Sequence, residues 1–207
     1  TDIHPNKMYW AQYPLDDPTK FGNPSPQQLE RRTQKIILSD DATEQALNKL
    51  DDRVFEEACK NSKSWFKKQL SPEEINEMQV RMVSPEDKNV RFKIKMPGVS
   101  YPTRLHYVNY DEKTDRVGIV NNEGDIEHFK DNKLKIKMIP MLQAYQVHIW
   151  KHGDVMKFEV KLSAEEVCYL FVEKQQTSRF PSSEYQPAEA DTVPDYKKQK
   201  LFSADEA

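Results

Sequence analysis

Arg91, Lys93 and Lys95 alternate with Val90, Phe92, Ile94 and Met96, and Lys135 and Lys137 alternate with Leu134, Ile136 and Met138. In an extended chain successive side chains point to opposite faces, so each run sends its bases one way and its apolar residues the other. Cations in a row on the outer face of a sheet can neutralise phosphates along a nucleic-acid backbone. Tyr101, Tyr107, Tyr110, Tyr145 and Trp150 lie near these runs in sequence. Flat rings among cations suit an unpaired strand, because each stacked base contributes about 1–3 kcal/mol. The candidate nucleic-acid face is therefore Arg91, Lys93, Lys95, Lys135 and Lys137 with Tyr107 and Trp150. Alternating lysine also solubilises a strand and blunts a sheet edge, so the pattern leaves both readings open.

Other chemistry has no comparable signal. Nucleophilic catalysis needs a nucleophile, a base and an orienting group, and no spacing of residues here marks such a set. His148 and His152 are four apart on a strand-to-turn segment rather than on a helix, which places them poorly as a metal pair. Cys59 and Cys168 lie in unrelated segments, read as buried thiols, and signal neither a disulfide framework nor a zinc site. The five glycines form no phosphate-cradling loop. The sequence thus predicts a protein that is not an enzyme and holds no metal or cofactor. No apolar run is long enough to span a bilayer.

The elements that would carry the basic face follow from periodicity. Residues 1–38 contain Pro5, Pro14, Pro18, Pro24 and Pro26 and no regular apolar spacing, so they read as an extended arm. From the N-cap candidates Asp40 and Asp41, Leu47, Leu50, Val54 and Ala58 recur at helical spacing to about Lys60. Ser71-Pro72-Glu73-Glu74 is a capping box opening a second helix that buries Ile75 and Met78. Trp65 and Phe66, between the two, are placed to anchor the helices on a sheet. After residue 88 the period changes to two. Strands are predicted at 90–96, 104–110, 116–120, 125–129, 134–138, 144–151, 155–162 and 167–173, joined mostly by tight turns. The fold class is mainly β with helices: an antiparallel OB-like barrel or sandwich carrying two helices. It occupies residues 39–173, between the arm at 1–38 and a second, polar arm at 174–207. Net charge is −3, yet residues 90–161 hold 13 basic and 9 acidic side chains while both flanks are acidic. The cationic field is therefore local to the β domain.

Leu50-Asp51-Asp52-Arg53-Val54-Phe55-Glu56-Glu57-Ala58, Lys60-Asn61-Ser62-Lys63-Ser64-Trp65-Phe66-Lys67-Lys68 and Leu70-Ser71-Pro72-Glu73-Glu74-Ile75 together form a pattern. It resembles the single-stranded-DNA-binding-protein-like family of algal and giant DNA viruses. Val147-His148-Ile149-Trp150 and Lys157-Phe158-Glu159-Val160 are similar to that family's late hairpin. The likeness spans about residues 45–173. It implies an OB-like barrel with added helices, a large double-stranded DNA virus as source, and single-stranded DNA binding as the activity. The chain differs from the family in having a proline-rich segment ahead of the first helix where members have strands. Only Gly153 stands in the late hairpin, which is Gly-rich in the family.

Two functions follow. The first is a structural, minor-capsid-type protein of a large DNA virus particle, residing in the virion and, during assembly, in the host cell interior. Its arms would bridge neighbouring virion proteins by seating Tyr9, Trp10, Tyr13, Phe21, Phe180, Tyr185, Tyr196 and Phe202 in foreign pockets. The alternative is a single-stranded DNA-binding protein of viral DNA replication. Arm rings lodged in neighbouring molecules would favour the first; rings seated on their own domain beside an open cationic groove would favour the second.

Overall fold

The computed structural model describes residues 7–11, 15–111, 116–130 and 135–172. Strand β1 (Tyr9–Ala11) precedes helix α1 (Pro26–Glu30), strand β2 (Arg31–Ile37) and helices α2 (Asp41–Lys60), α3 (Ser62–Phe66) and α4 (Pro72–Met78). Strands β3 (Gln79–Val80), β4 (Asn89–Lys95), β5 (Arg104–Asp111), β6 (Arg116–Glu123), β7 (Lys135–His152) and β8 (Val155–Val172) complete the described elements. The class is mainly β with helices, as the alternation predicts. No helix among the described residues is long and apolar enough to cross a membrane.

The strands pair in the order β4–β2–β1–β7–β8, and β8 pairs in turn with β4, so five strands close a ring. This agrees with an OB-like arrangement. The sheet is mixed rather than antiparallel, because β8 serves several neighbours. It runs antiparallel to β7 along its length and parallel to β5, β4 and β3 at successive points. Ile36, Phe92, Ile94, Met138, Leu162 and Tyr169 fill the interior. A second cluster joins the helices to the sheet, with Ala58, Phe66, Leu70, Ile75 and Met78 packed around Phe158. The Trp65 and Phe66 rings lie 6.5 and 5.6 Å from that of Phe158, the anchoring expected of them.

Local chemistry explains the helix starts. The Asp40 carboxylate accepts from the Thr43 amide at 2.7 Å to open α2, and Ser71 and Glu74 close a reciprocal box on α4 behind Pro72. The same device, Ser25-Pro26 with Gln28, opens α1. Pro18 and Pro26 thus begin helical turns, where the missing N–H costs nothing. Proline content therefore misleads over residues 1–38. The described part of that segment, expected as an extended arm, supplies β1, α1 and β2, and β1 closes the ring between β2 and β7. The Tyr9 hydroxyl donates to Asp40 Oδ2 at 2.5 Å and lies 2.8 Å from Thr43 Oγ1, pinning β1 to the start of α2. The polar segment 174–207 lies outside the described residues.

Residues 125–129, expected as a strand, form a 3-10 turn at Ile126–Lys130. The Asp125 carboxylate accepts from the Glu127 amide and its carbonyl from the His128 amide. Ile126 and Phe129, three apart, both enter the core. Four expected strands merge into β7 and β8. Pro140 is tolerated within β7 because it lies past the end of β1 and next to a bulge at Met141/Leu142. The hairpin turns on Gly153-Asp154, where Gly153 takes φ 62°, as the first position of a type II′ turn demands.

Candidate nucleic-acid interface

With Ile36, Val90, Phe92 and Ile94 turned inward, the odd-numbered residues of β2 and β4 share the outer face. The ladder sets them side by side as Arg31 with Lys95, Thr33 with Lys93, and Lys35 with Arg91. Across the junction with β8, Lys93 is level with Ser163, and Lys161 and Glu159 continue the same face. On β7, Gln146, His148 and Trp150 stand opposite Lys161, Glu159 and Lys157.

Arg31, Lys93, Lys161, Gln146 and His148 of this face border a groove of about 820 Å³. Ser25, Gln27, Gln28 and Glu30 of the α1 segment form one wall, Tyr145, Gln146 and His148 the other, with Arg31, Lys93 and Lys161 also lining it. The Arg31 guanidinium carbon lies 5.7 Å from the Tyr145 ring centre, and Lys161 Nζ lies 5.8 Å from that of Trp150. His148 stacks on Trp150 with centres 5.1 Å apart and planes 13° from parallel. Tyr145 remains 38% exposed, which leaves its ring accessible to a ligand. A second hollow of about 570 Å³ follows along β4, between Lys35 and Arg91 on one side and Arg81 and the 84–87 turn on the other. Cations outnumber carboxylates in the first hollow and balance them in the second.

Lys93 is half-buried and donates to Thr33 Oγ1 at 2.7 Å. Burial holds its ammonium below the ordinary 10.5; Asp16 and Glu159 pull it back up, while Lys161 depresses it further. Lys161 is paired with the Glu159 carboxylate, both side chains being about a quarter to a third exposed. The groove therefore offers cations for phosphates, rings for bases and glutamine amides for base edges.

Arg91, Lys93, Lys95 and Trp150 come to this face as the sequence predicts. Lys135 and Lys137 lie farther along, near the start of β7, where Lys137 is level with Trp10 and its Nζ stands 4.7 Å from that ring centre. Tyr107 is not at the groove. Its ring packs 5.8 and 5.2 Å from those of Tyr169 and Phe171, because β5 meets β8 at residues 166–169, away from Lys161. Among the arm residues, Tyr9 and Trp10 are strand residues on their own domain. Phe21 ends the 3-10 turn Pro18–Phe21. Tyr13, Phe180, Tyr185, Tyr196 and Phe202 lie outside the described residues. Both cysteines are half-buried rather than fully buried, and burial raises their thiol pKa values.

Sequence reasoning missed Arg31 and His148 as groove residues, and also Lys161. For Lys161 the signal was present: Lys157, Glu159 and Lys161 alternate with buried Phe158, Val160 and Leu162.

No protein-family model matches the sequence, and no curated protein matches it. The resemblance to the algal and giant virus family thus has no matching family model behind it. Among solved structures the chain is similar to gp2.5, a single-stranded DNA binding protein encoded by bacteriophage T7. The identity is 16% and the TM-score 0.40, over 83% of this chain and 93% of that one. At that score the likeness is coarse, and one chain does not speak for the other.

Proposed function

We propose that this protein binds single-stranded DNA in the groove between α1 and β7. The observation that carries the reading is the pair of cation–ring contacts, Arg31 on Tyr145 and Lys161 on Trp150, flanking Lys93 in an open hollow. Lysine that merely guards an edge has no need of rings beside it, of which Tyr145 is exposed; phosphates and unpaired bases use both. A duplex hides its base faces and should bind more weakly than an unpaired strand. The particle reading has no feature of the described residues behind it, since Tyr9 and Trp10 sit on their own domain.

Fluorescence anisotropy with an oligothymidylate of about twenty nucleotides tests the proposal. The wild type should bind at low salt, with affinity falling linearly on a log–log plot against salt. Arg31→Gln and Lys161→Gln should each flatten that slope by about 0.7. Absence of binding by the wild type at low salt would end the reading.

A further inference from the structure

Resting on that reading of the groove, we propose a second base-stacking position at Trp10, so that one strand of DNA is held at both ends of the β2 outer face. Trp10 pairs with Ile37 on β2 and with Lys137 on β7, and the three share the outer face of the ring. Tyr9 and Ala11 point the other way and pack on the core, so the Trp10 ring is not needed inside. It stays 39% exposed beside Ile37 at 36%, with Lys137 Nζ 4.7 Å from its centre. This repeats the ring-and-cation arrangement found at Tyr145 and Arg31.

Strand β2 joins the two positions. Ile37 lies beside Trp10 at one end, and Arg31 lies against Tyr145 at the other. Between them the outer face carries Lys35 with Arg91 and Thr33 with Lys93. Six residues at about 3.4 Å each separate the ends by about 20 Å. That is about six nucleotides at the 3.4 Å rise of a stacked strand, within the range of about 4–16 per OB fold. The occupant is a continuation of the strand already in the groove, because the cationic row between the two rings runs unbroken along the ladder and suits phosphates. Two linked contacts then act as one bivalent site whose second half only a sufficiently long oligonucleotide can reach.

Affinity measured against oligothymidylate length tests this. Trp10→Ala should weaken binding of an oligothymidylate of about twenty nucleotides by about tenfold and change that of one of about four by less than about twofold. Tyr145→Ala should weaken both, and Trp10→Phe, which keeps a ring, should retain most of the affinity. Photocrosslinking of the wild type to iodouracil-substituted oligonucleotide gives a readout that needs no variant; label on the peptide containing Trp10 is expected. Should label fall only on the peptide containing Tyr145 and Trp150, or Trp10→Ala match the wild type while Arg31→Gln and Lys161→Gln lose binding, the second position falls and the groove stands. Should neither those variants nor Tyr145→Ala affect binding, the groove itself is the wrong site.

Discussion

Glu159 lies beside the groove, on the lining of the second hollow, as an anion of the protein's own that is paired with Lys161 and acts on Lys93. A phosphate that takes Lys161 must displace this carboxylate and then sit near it. Glu159→Gln keeps the shape and removes the charge. For a phosphate about 6 Å from the carboxylate, the repulsion relieved is about 0.7 kcal/mol in water and about 3 kcal/mol at the effective dielectric of a protein surface. With both side chains a quarter to a third exposed and salt screening the pair, about 1 kcal/mol is the reasonable value, or about fivefold in affinity. Lys161 also becomes available without exchange, so the gain should run through Lys161, while the salt slope, which already counts that lysine in the wild type, should stay near its wild-type value. Anisotropy titrations across a salt series read both quantities. In the Lys161→Gln background the substitution should gain less, since only direct repulsion is then relieved. Weaker binding by Glu159→Gln, or tighter binding that ignores Lys161, would refute the idea that this carboxylate competes with phosphate.

The remaining expectations concern stability. Asp51 in α2 is buried, with one oxygen accepting from the Met82 amide at 2.9 Å, and its carboxyl is pushed up to about 6. Burial is the main cause; the Met82 N–H and Arg81 oppose it and Asp52 adds to it. Because the folded value lies above the ordinary 3.8, Asp51 contributes most to stability below pH 4, and that contribution is lost as pH rises through 6, about 3 kcal/mol in all. Asp51→Asn should flatten the fall in Tm between those limits, and an unchanged pH profile would contradict it. Phe158→Ala removes the ring beneath Trp65 and Phe66 and should cost about 3–5 kcal/mol in chemical denaturation. A loss below about 1 kcal/mol would mean that the helices are not anchored there.

What the sequence made legible was whatever repeats. The alternation in β4, the helical spacing of Leu47, Leu50, Val54 and Ala58, and the capping box at Ser71 all depend on neighbours a few residues away, and all appear as read. Strand β1 could not be read this way. Three residues, Tyr9-Trp10-Ala11, show no period, and they form a strand only because β2 and β7 leave a gap that they fill. The prolines of the same segment look like breakers, although two of them start helical turns. The turn at Ile126–Lys130 failed for the opposite reason, since apolar residues over five positions fit a short strand as well as a 3-10 turn. At the groove, the bases on β4 were legible, whereas Arg31 and Lys161 were not joined to them. They reach Lys93 through pairings with distant strands, which local spacing does not encode.

The position of the second hollow follows from how β8 is shared. Its partners on the edge away from β7 are β3 at Phe158–Glu159 and β4 at Ser163–Ala164. No register pair joins β8 to either strand at residues 160–162 among the described residues. An open stretch of edge invites pairing with another chain, and charge beside it deters that. Glu159 and Lys161 beside this stretch could meet that need, and so could Arg91 across it. The rings could not. Tyr145, His148 and Trp150 belong to β7, on the opposite side of β8 from this stretch, and guarding it gives them no role. A partner that brings phosphates to the cations and flat faces to the rings satisfies both halves of the surface at once. On the proposed reading, the exposed Tyr145 ring on β7, more than the lysines, is what separates a binding surface from a guarded edge.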